Sequence, residues 1–139
     1  MSAWFLDTAY VLALEFAADQ NHKAAIRCSR QFHLNDDTAI TTSFVLDEVV
    51  THLNARGHHS QAVRIGGQLM NSFDVTFVEV DHELLMDAWN YFVRHQDKQY
   101  SLTDCTSFVL MQRRGLRHAL TFDHHFTQAG LEILPSIAK

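Results

Sequence analysis

Ala3-Trp4-Phe5-Leu6-Asp7 is a run of four apolar residues stopped by a carboxylate. An apolar run without alternation suits a strand buried on both faces, the kind found in parallel sheets covered by helices on each side. Helical spacing follows from about Tyr10 to Ala18 and from His22 to Phe32, before a second short strand, Thr38 to Thr42. Two more helices are expected, Ser43 to Ala55 ending near Gly57 and Ser60 to Asn71. Val75 to Val80 is β-branched and weakly alternating, which makes it the third strand. Helices from His82 to His95 and from Thr103 to Arg114 come next, the latter stopped by Gly115. His118 to Phe122 is the fourth strand, His124 to Ala129 a helical turn ending at Gly130, and Leu131 to Leu134 the fifth strand, before Pro135.

Strands that alternate with one or two helices predict an α/β fold: a three-layer α/β/α sandwich around a central parallel sheet of about five strands. No repeat, low-complexity tract or linker interrupts the 139 residues, so the expectation is a single domain spanning 1–139. Hydrophobic residues make up 47%, enough for a real core, and this excludes a disordered chain. Only 19% of residues are charged, and with ten Phe this predicts an exposed apolar patch used by a partner.

Eleven Lys and Arg against sixteen Asp and Glu give a net charge of −5, which argues against a protein that coats nucleic acid by charge alone. It leaves room for an enzyme whose carboxylates meet phosphate through bound cations. Cys28 and Cys105 form neither a zinc knuckle nor a disulfide framework. Met1 to Asp7 has no basic segment or cleavage site, and no apolar run approaches the ~20 residues of a membrane helix. A soluble, cytoplasmic protein is expected.

In open parallel sheets, ligands bind beyond the carboxyl ends of the strands, where strand order reverses. Asp7 follows the first strand and Asp123 the fourth, so neighbouring strands there would put both carboxylates in one crevice. Taken singly, each has a plainer role as a cap for the helix after it. Asp104 closes Ser101-Leu102-Thr103-Asp104, a spacing that fits a capping box, and a carboxylate there also benefits from the helix dipole. In the helix after the second strand, Val45, Val49, Leu53, Leu46 and Val50 form the core stripe. That phase puts Glu48 at the stripe's edge and Asp47 in solvent. Two carboxylates ~4 Å apart repel by ~4 kcal/mol at an effective dielectric of 20, so converging acids call for cations. An all-oxygen set suits Mg²⁺ or Mn²⁺.

Leu6-Asp7-Thr8 after an apolar strand, Glu48 in the helix after strand two, Leu102-Thr103-Asp104 opening an apolar helix, and Thr121-Phe122-Asp123-His124-His125-Phe126 together resemble the PIN domain. In order, spacing and total length the chain is similar to PIN-domain ribonucleases, including the VapC-type toxins of bacterial toxin–antitoxin pairs. The resemblance covers essentially the whole sequence. It implies Mg²⁺- or Mn²⁺-dependent endoribonuclease activity, with metal-binding acid roles for Asp7, Glu48, Asp104 and Asp123, and Thr121 as the hydroxyl residue supporting the last acid. It also implies an RNA substrate, homodimers and, for toxins, an antitoxin peptide lying across the active-site groove.

Other signals carry less. The ten histidines include the pairs His58-His59 and His124-His125, but none has zinc-site spacing, so they read as surface or partly buried residues. His124 and His125 border the expected site, where no role is the favoured reading. Arg113, Arg114 and Arg117 suit the end of a helix better than an RNA contact. Three other readings fit the residues less well. A non-catalytic PIN-like RNA- or protein-binding module would have no need of the full acid set. An Asp-nucleophile phosphatase wants a second Asp where Ala9 stands. A phosphoacceptor receiver domain wants paired acids before Asp7 and a late Lys.

Overall fold

The computed structural model describes residues 2–135. Met1 and residues 136–139, the two ends of the expected 1–139 span, lie outside the described residues. Five strands form one parallel sheet in the order β3-β2-β1-β4-β5. They are β1 (Ala3–Leu6), β2 (Thr38–Thr42), β3 (Val75–Val78), β4 (His118–Leu120) and β5 (Glu132–Leu134). The helices among the described residues are α1 (Thr8–Glu15), α2 (His22–Leu34), α3 (Ser43–Ala55), α4 (His59–Asn71), α5 (His82–Arg94), α6 (Leu102–Arg113) and α7 (His125–Gln128).

The first strand sits at the centre, which is why it has no polar face. Trp4 pairs with Ala39 and Phe5 with Ile40 on one side, while Phe5 also pairs with Ala119 and Leu6 with Leu120 on the other. Alternation sends Leu6 and Phe5 to opposite faces. Leu6, with Ala39, Val75 and Leu120, meets Tyr10, Val11 and Leu14 of α1, Phe32 of α2, and Ile65 and Leu69 of α4 around a cavity of about 190 Å³. Phe5 packs on Phe126 of α7, whose ring meets Phe108 of α6 edge-on at 4.9 Å between centroids. Helices therefore cover both faces, and the three-layer architecture is as the sequence implies.

Several boundaries differ from the sequence expectation for local reasons. The first helix begins at Thr8, directly after Asp7, and stops at Glu15 rather than running from Tyr10 to Ala18. The chain past Phe16 instead forms a turn closed by Asp19 N–H on Phe16 O at 3.0 Å. The third strand ends at Val78 because its partner β2 ends at Thr42, and Val80 N–H goes to Ser43 Oγ at 2.9 Å. The fourth strand ends at Leu120, two residues early, where the side chain of Thr121 takes on another task.

Phase within the helices follows the apolar stripe. In α3, Val45, Val49 and Leu53 are buried, with Leu46 and Val50 packed against the core. A Cβ on Gly66 of α4 would lie 3.0 Å from Val50 Cγ1, so the absence of a side chain at Gly66 lets these two helices approach closely. The end of α6 at Gly115, with φ +66, uses the left-handed conformation that glycine adopts at helix stops. The expected exposed apolar surface lies on α5, where Met86, Trp89, Phe92 and Val93 share one face and the rings of Trp89 and Phe92 stack 5.7 Å apart.

Candidate active site

Strand order reverses between β1 and β4, the two strands that deliver Asp7 and Asp123. Asp7 continues the sheet by one residue, its N–H bonded to Leu120 O at 3.1 Å, and is only 4% exposed. The fully buried Thr121 is held by its N–H on Leu134 O at 3.0 Å. Its hydroxyl donates to Asp7 Oδ2 at 2.7 Å and accepts from Asp123 N–H at 3.0 Å. One hydroxyl thus ties both strand ends together and commits its proton to Asp7. The resemblance assigns Thr121 to Asp123 alone; the geometry adds Asp7. Asp7 occupies the N-cap position of α1, yet its side chain makes no capping bond to that helix, so the plain capping role is not realised there.

Asp104 arrives from the other side of the site on α6. The capping box is complete: Asp104 N–H donates to Ser101 Oγ at 2.9 Å, and Ser101 N–H donates to Asp104 Oδ2 at 3.1 Å. Every residue from Asp104 to Met111 is buried, so the amino end of α6 is held deep in the fold, as its apolar sequence implies. Asp123 does cap its turn, with Oδ1 accepting His125 N–H at 2.9 Å. The ring of His125 closes the cluster, Nδ1 lying 3.0 Å from Asp104 Oδ2 and 3.4 Å from Asp123 Oδ1. Asp104, Asp123 and His125 can each offer a ligand atom within 4.8 Å of the others, an arrangement able to hold a metal ion.

These acids are held at an electrostatic cost. Burial pushes the Asp7 carboxyl up to about 7; the Thr121 hydroxyl pulls it down, Asp104 pushes it further up, the Thr8 backbone N–H lowers it, and Asp123 raises it. The Asp104 carboxyl is also raised, first by burial and then by Asp123, against the lowering effects of the Ser101 N–H and His125. A bound cation would reverse this balance by favouring the ionised forms. The protein's hydrogen bonds to Asp104 fall on Oδ2 and those to Asp123 on Oδ1, which leaves each acid an oxygen for a further ligand. Carboxylate oxygens fit a hard divalent ion.

Glu48 lies at the rim. It is half-buried, and its Oε1 accepts the Thr8 hydroxyl at 2.7 Å, so it is linked to the residue beside Asp7 but stands apart from the Asp104–Asp123–His125 convergence. Asp47 is exposed and accepts only the Thr51 hydroxyl at 3.2 Å, in accord with the helix phase. His125 is the residue that sequence reasoning passed over. The signal was the unequal pair before Phe126: His124 is exposed, whereas His125 is drawn inward by the fully buried Phe126 next to it. Arg113 pairs with Asp87 and Glu83, about 14 Å along α6 from Asp104, in keeping with the helix-end reading.

The PIN domain family matches residues 4–131. The chain is 35% identical over 135 residues to the 23S rRNA-specific endonuclease VapC20 of Mycobacterium tuberculosis, covering 94% of this chain and 98% of that protein. The crystal structure of that protein, a sarcin-ricin loop cleaving toxin, superposes with a TM-score of 0.83 over 91% of this chain and 95% of its own. The fold is also shared with FitAcB from Neisseria gonorrhoeae, at 13% identity, a TM-score of 0.62 and 96% of each chain. VapBC-1 from nontypeable Haemophilus influenzae matches at 15% identity, with the same TM-score and coverage.

Proposed function

The chain belongs to the PIN-domain family, and from that premise we propose that it is a divalent-metal-dependent endoribonuclease, the toxin of a toxin–antitoxin pair. The observation that carries this reading is the convergence of Asp104, Asp123 and His125 beside the strand-order reversal, with Asp7 tied through Thr121 to the backbone of Asp123 and close enough to feel both acids. Mg²⁺ or Mn²⁺ held by Asp7, Asp104 and Asp123, with Glu48 at the rim, would supply the positive charge and Lewis acidity that phosphodiester hydrolysis needs.

The chain's own residues do the preparatory work. Thr121 orients Asp7 and fixes the backbone that carries Asp123, so two acids from distant parts of the sequence share one hinge point. Ser101 holds Asp104 by its capping box. The Thr8 hydroxyl fixes Glu48 where it can add a fourth acid.

The substrate class we infer is loop or single-stranded RNA within a larger fold. VapC20 acts on 23S rRNA, and this chain spans nearly all of that protein. With a net charge of −5 the chain gains little from duplex phosphates alone. A flexible loop can bend a phosphate down to the acids and present unpaired bases to the rim. An antitoxin partner is inferred from the relationship to VapC toxins. The exposed apolar face of α5 favours the homodimer that the family implies. Among the described residues no helix is long and apolar enough to cross a membrane, and the RNA substrate we infer would be met in the cytoplasm.

The test is a side-by-side digestion of a structured rRNA fragment, a perfect RNA duplex and a DNA duplex at one salt concentration, with Mg²⁺, Mn²⁺ or EDTA. Cleavage confined to the structured RNA and abolished by EDTA is expected. Equal cutting of all three, or cutting that survives EDTA, overturns the reading.

A further inference from the structure

Resting on the nuclease reading, we propose that His125 is a positioning residue that sets the distance and facing of Asp104 and Asp123. Those two carboxylates come from unconnected elements, α6 and the turn after β4, and no backbone hydrogen bond joins one to the other among the described residues. His125 spans the gap with two separate donors. Its backbone N–H is fixed on Asp123 Oδ1 at 2.9 Å, and its ring Nδ1–H reaches Asp104 Oδ2 at 3.0 Å. Both bonds fall on one oxygen of each acid and leave the other without a hydrogen bond among the described residues.

The ring is itself constrained. Tyr100, 6% exposed, meets it edge-on at 5.5 Å between centroids and at 77° between planes. Tyr100 is packed in turn on Phe108 of α6 at 5.0 Å. Phe126, fully buried against Phe5 and Phe108, pins the short helix that carries His125. One segment, Tyr100-Ser101, therefore orients both partners: Tyr100 sets the imidazole, and Ser101 sets the carboxylate that it meets. A surface histidine needs none of this support. A ring locked by packing and holding two acids apart by fixed donors is how ligands are pre-oriented for a metal.

The topology of the side chain supplies the test. Asn places an N–H on the atom equivalent to Nδ1, one bond from Cγ, whereas Gln carries its amide one carbon further out. Compare wild type with His125→Asn, His125→Gln and His125→Ala. Measure Mn²⁺ affinity by calorimetry, melting temperature in EDTA, and RNA cleavage at saturating metal. Mn²⁺ affinity and kcat should fall roughly tenfold or more in the Gln and Ala variants. His125→Asn should recover most of both, with KM for RNA unchanged throughout. The Gln–Asn comparison stands even where alanine unfolds the short helix. If wild type binds Mn²⁺ and cuts RNA but all variants match it, the positioning role is overturned. Equal loss in Asn, Gln and Ala variants that melt like wild type also overturns it, because the ring would then be a direct ligand. Failure of wild type itself to bind Mn²⁺ or cut RNA counts against the nuclease reading instead.

Discussion

Replacing Asp7 by Asn should stabilise the metal-free protein while abolishing cleavage, and the gain should depend on pH in a specified way. The Asp7 carboxyl is raised from 3.8 to about 7 by burial above all. The folded state therefore binds this proton more tightly than the unfolded state does. Its ionisation costs nothing below about pH 4, costs progressively more between about 4 and 7, and reaches its full cost above 7. At ~1.4 kcal/mol per pK unit, that cost is about 4 kcal/mol at pH 8 but only about 2 kcal/mol at pH 5. Asn carries no charge and is spared the whole of it. Its oxygen still accepts the Thr121 hydroxyl, and its amide can face Asp104 and Asp123. Any fixed penalty from the amide is the same at both pH values and cancels in the comparison. At about 4 °C per kcal/mol for a domain of this size, the melting-temperature advantage of the Asn variant should widen by about 10 °C from pH 5 to pH 8. The assay is thermal denaturation in EDTA at several pH values, paired with RNA digestion in Mg²⁺. A pH-independent difference, or a variant less stable than wild type at pH 8, refutes the buried-charge account. Normal cleavage by the folded variant refutes the site.

Three further outcomes are expected. Thr121→Val removes the donor to Asp7 and the acceptor for Asp123 N–H, and should cost roughly 2 kcal/mol or more by chemical denaturation, whereas Thr121→Ser keeps the hydroxyl and should cost only the buried methyl, about 1 kcal/mol. Mn²⁺ should raise the melting temperature by binding only the folded state, by about 3 kcal/mol at a hundredfold excess over Kd. Asp104→Asn and Asp123→Asn should blunt that rise, Glu48→Gln should reduce it less, and Asp47→Asn should leave it intact in a differential scanning titration. Gly66→Ala should shift stability by less than about 1 kcal/mol, because the helix propensity gained offsets the crowding of Val50 Cγ1, read as a denaturant midpoint near that of wild type with unchanged slope.

Much of this was legible in the sequence because single local features determined it. A run such as Trp4-Phe5-Leu6 has no polar face and so can sit only at the centre of a covered sheet. Glu48 and Asp47 separate by helix phase alone, and Ser101 and Asp104 announce their capping box by spacing. What escaped depended on closure in space. The first helix starts at Thr8 because Asp7 is still bonded to Leu120 across the sheet, a partner far away in sequence. Thr121 leaves the strand early because its hydroxyl serves Asp7. His125 reads as one of ten histidines until α6 and α7 are brought together by Phe108 and Phe126. No periodicity encodes such a meeting.

The hydrogen bond from Thr121 to Asp7 joins residues 114 apart in the chain. The central strand therefore precedes its second neighbour, β4, by more than a hundred residues of chain. As the chain grows, β1 can pair with β2 and β2 with β3, but Thr121 and Asp123 are still to come. On the nuclease reading, the acid set therefore stays incomplete until β4 has emerged. Fragments that stop short of β4 carry Asp7, Glu48 and even Asp104 without the strand that would bring the first and last acids together. On the toxin reading, that late completion would leave an interval in which a partner could meet the folding chain before its site is assembled.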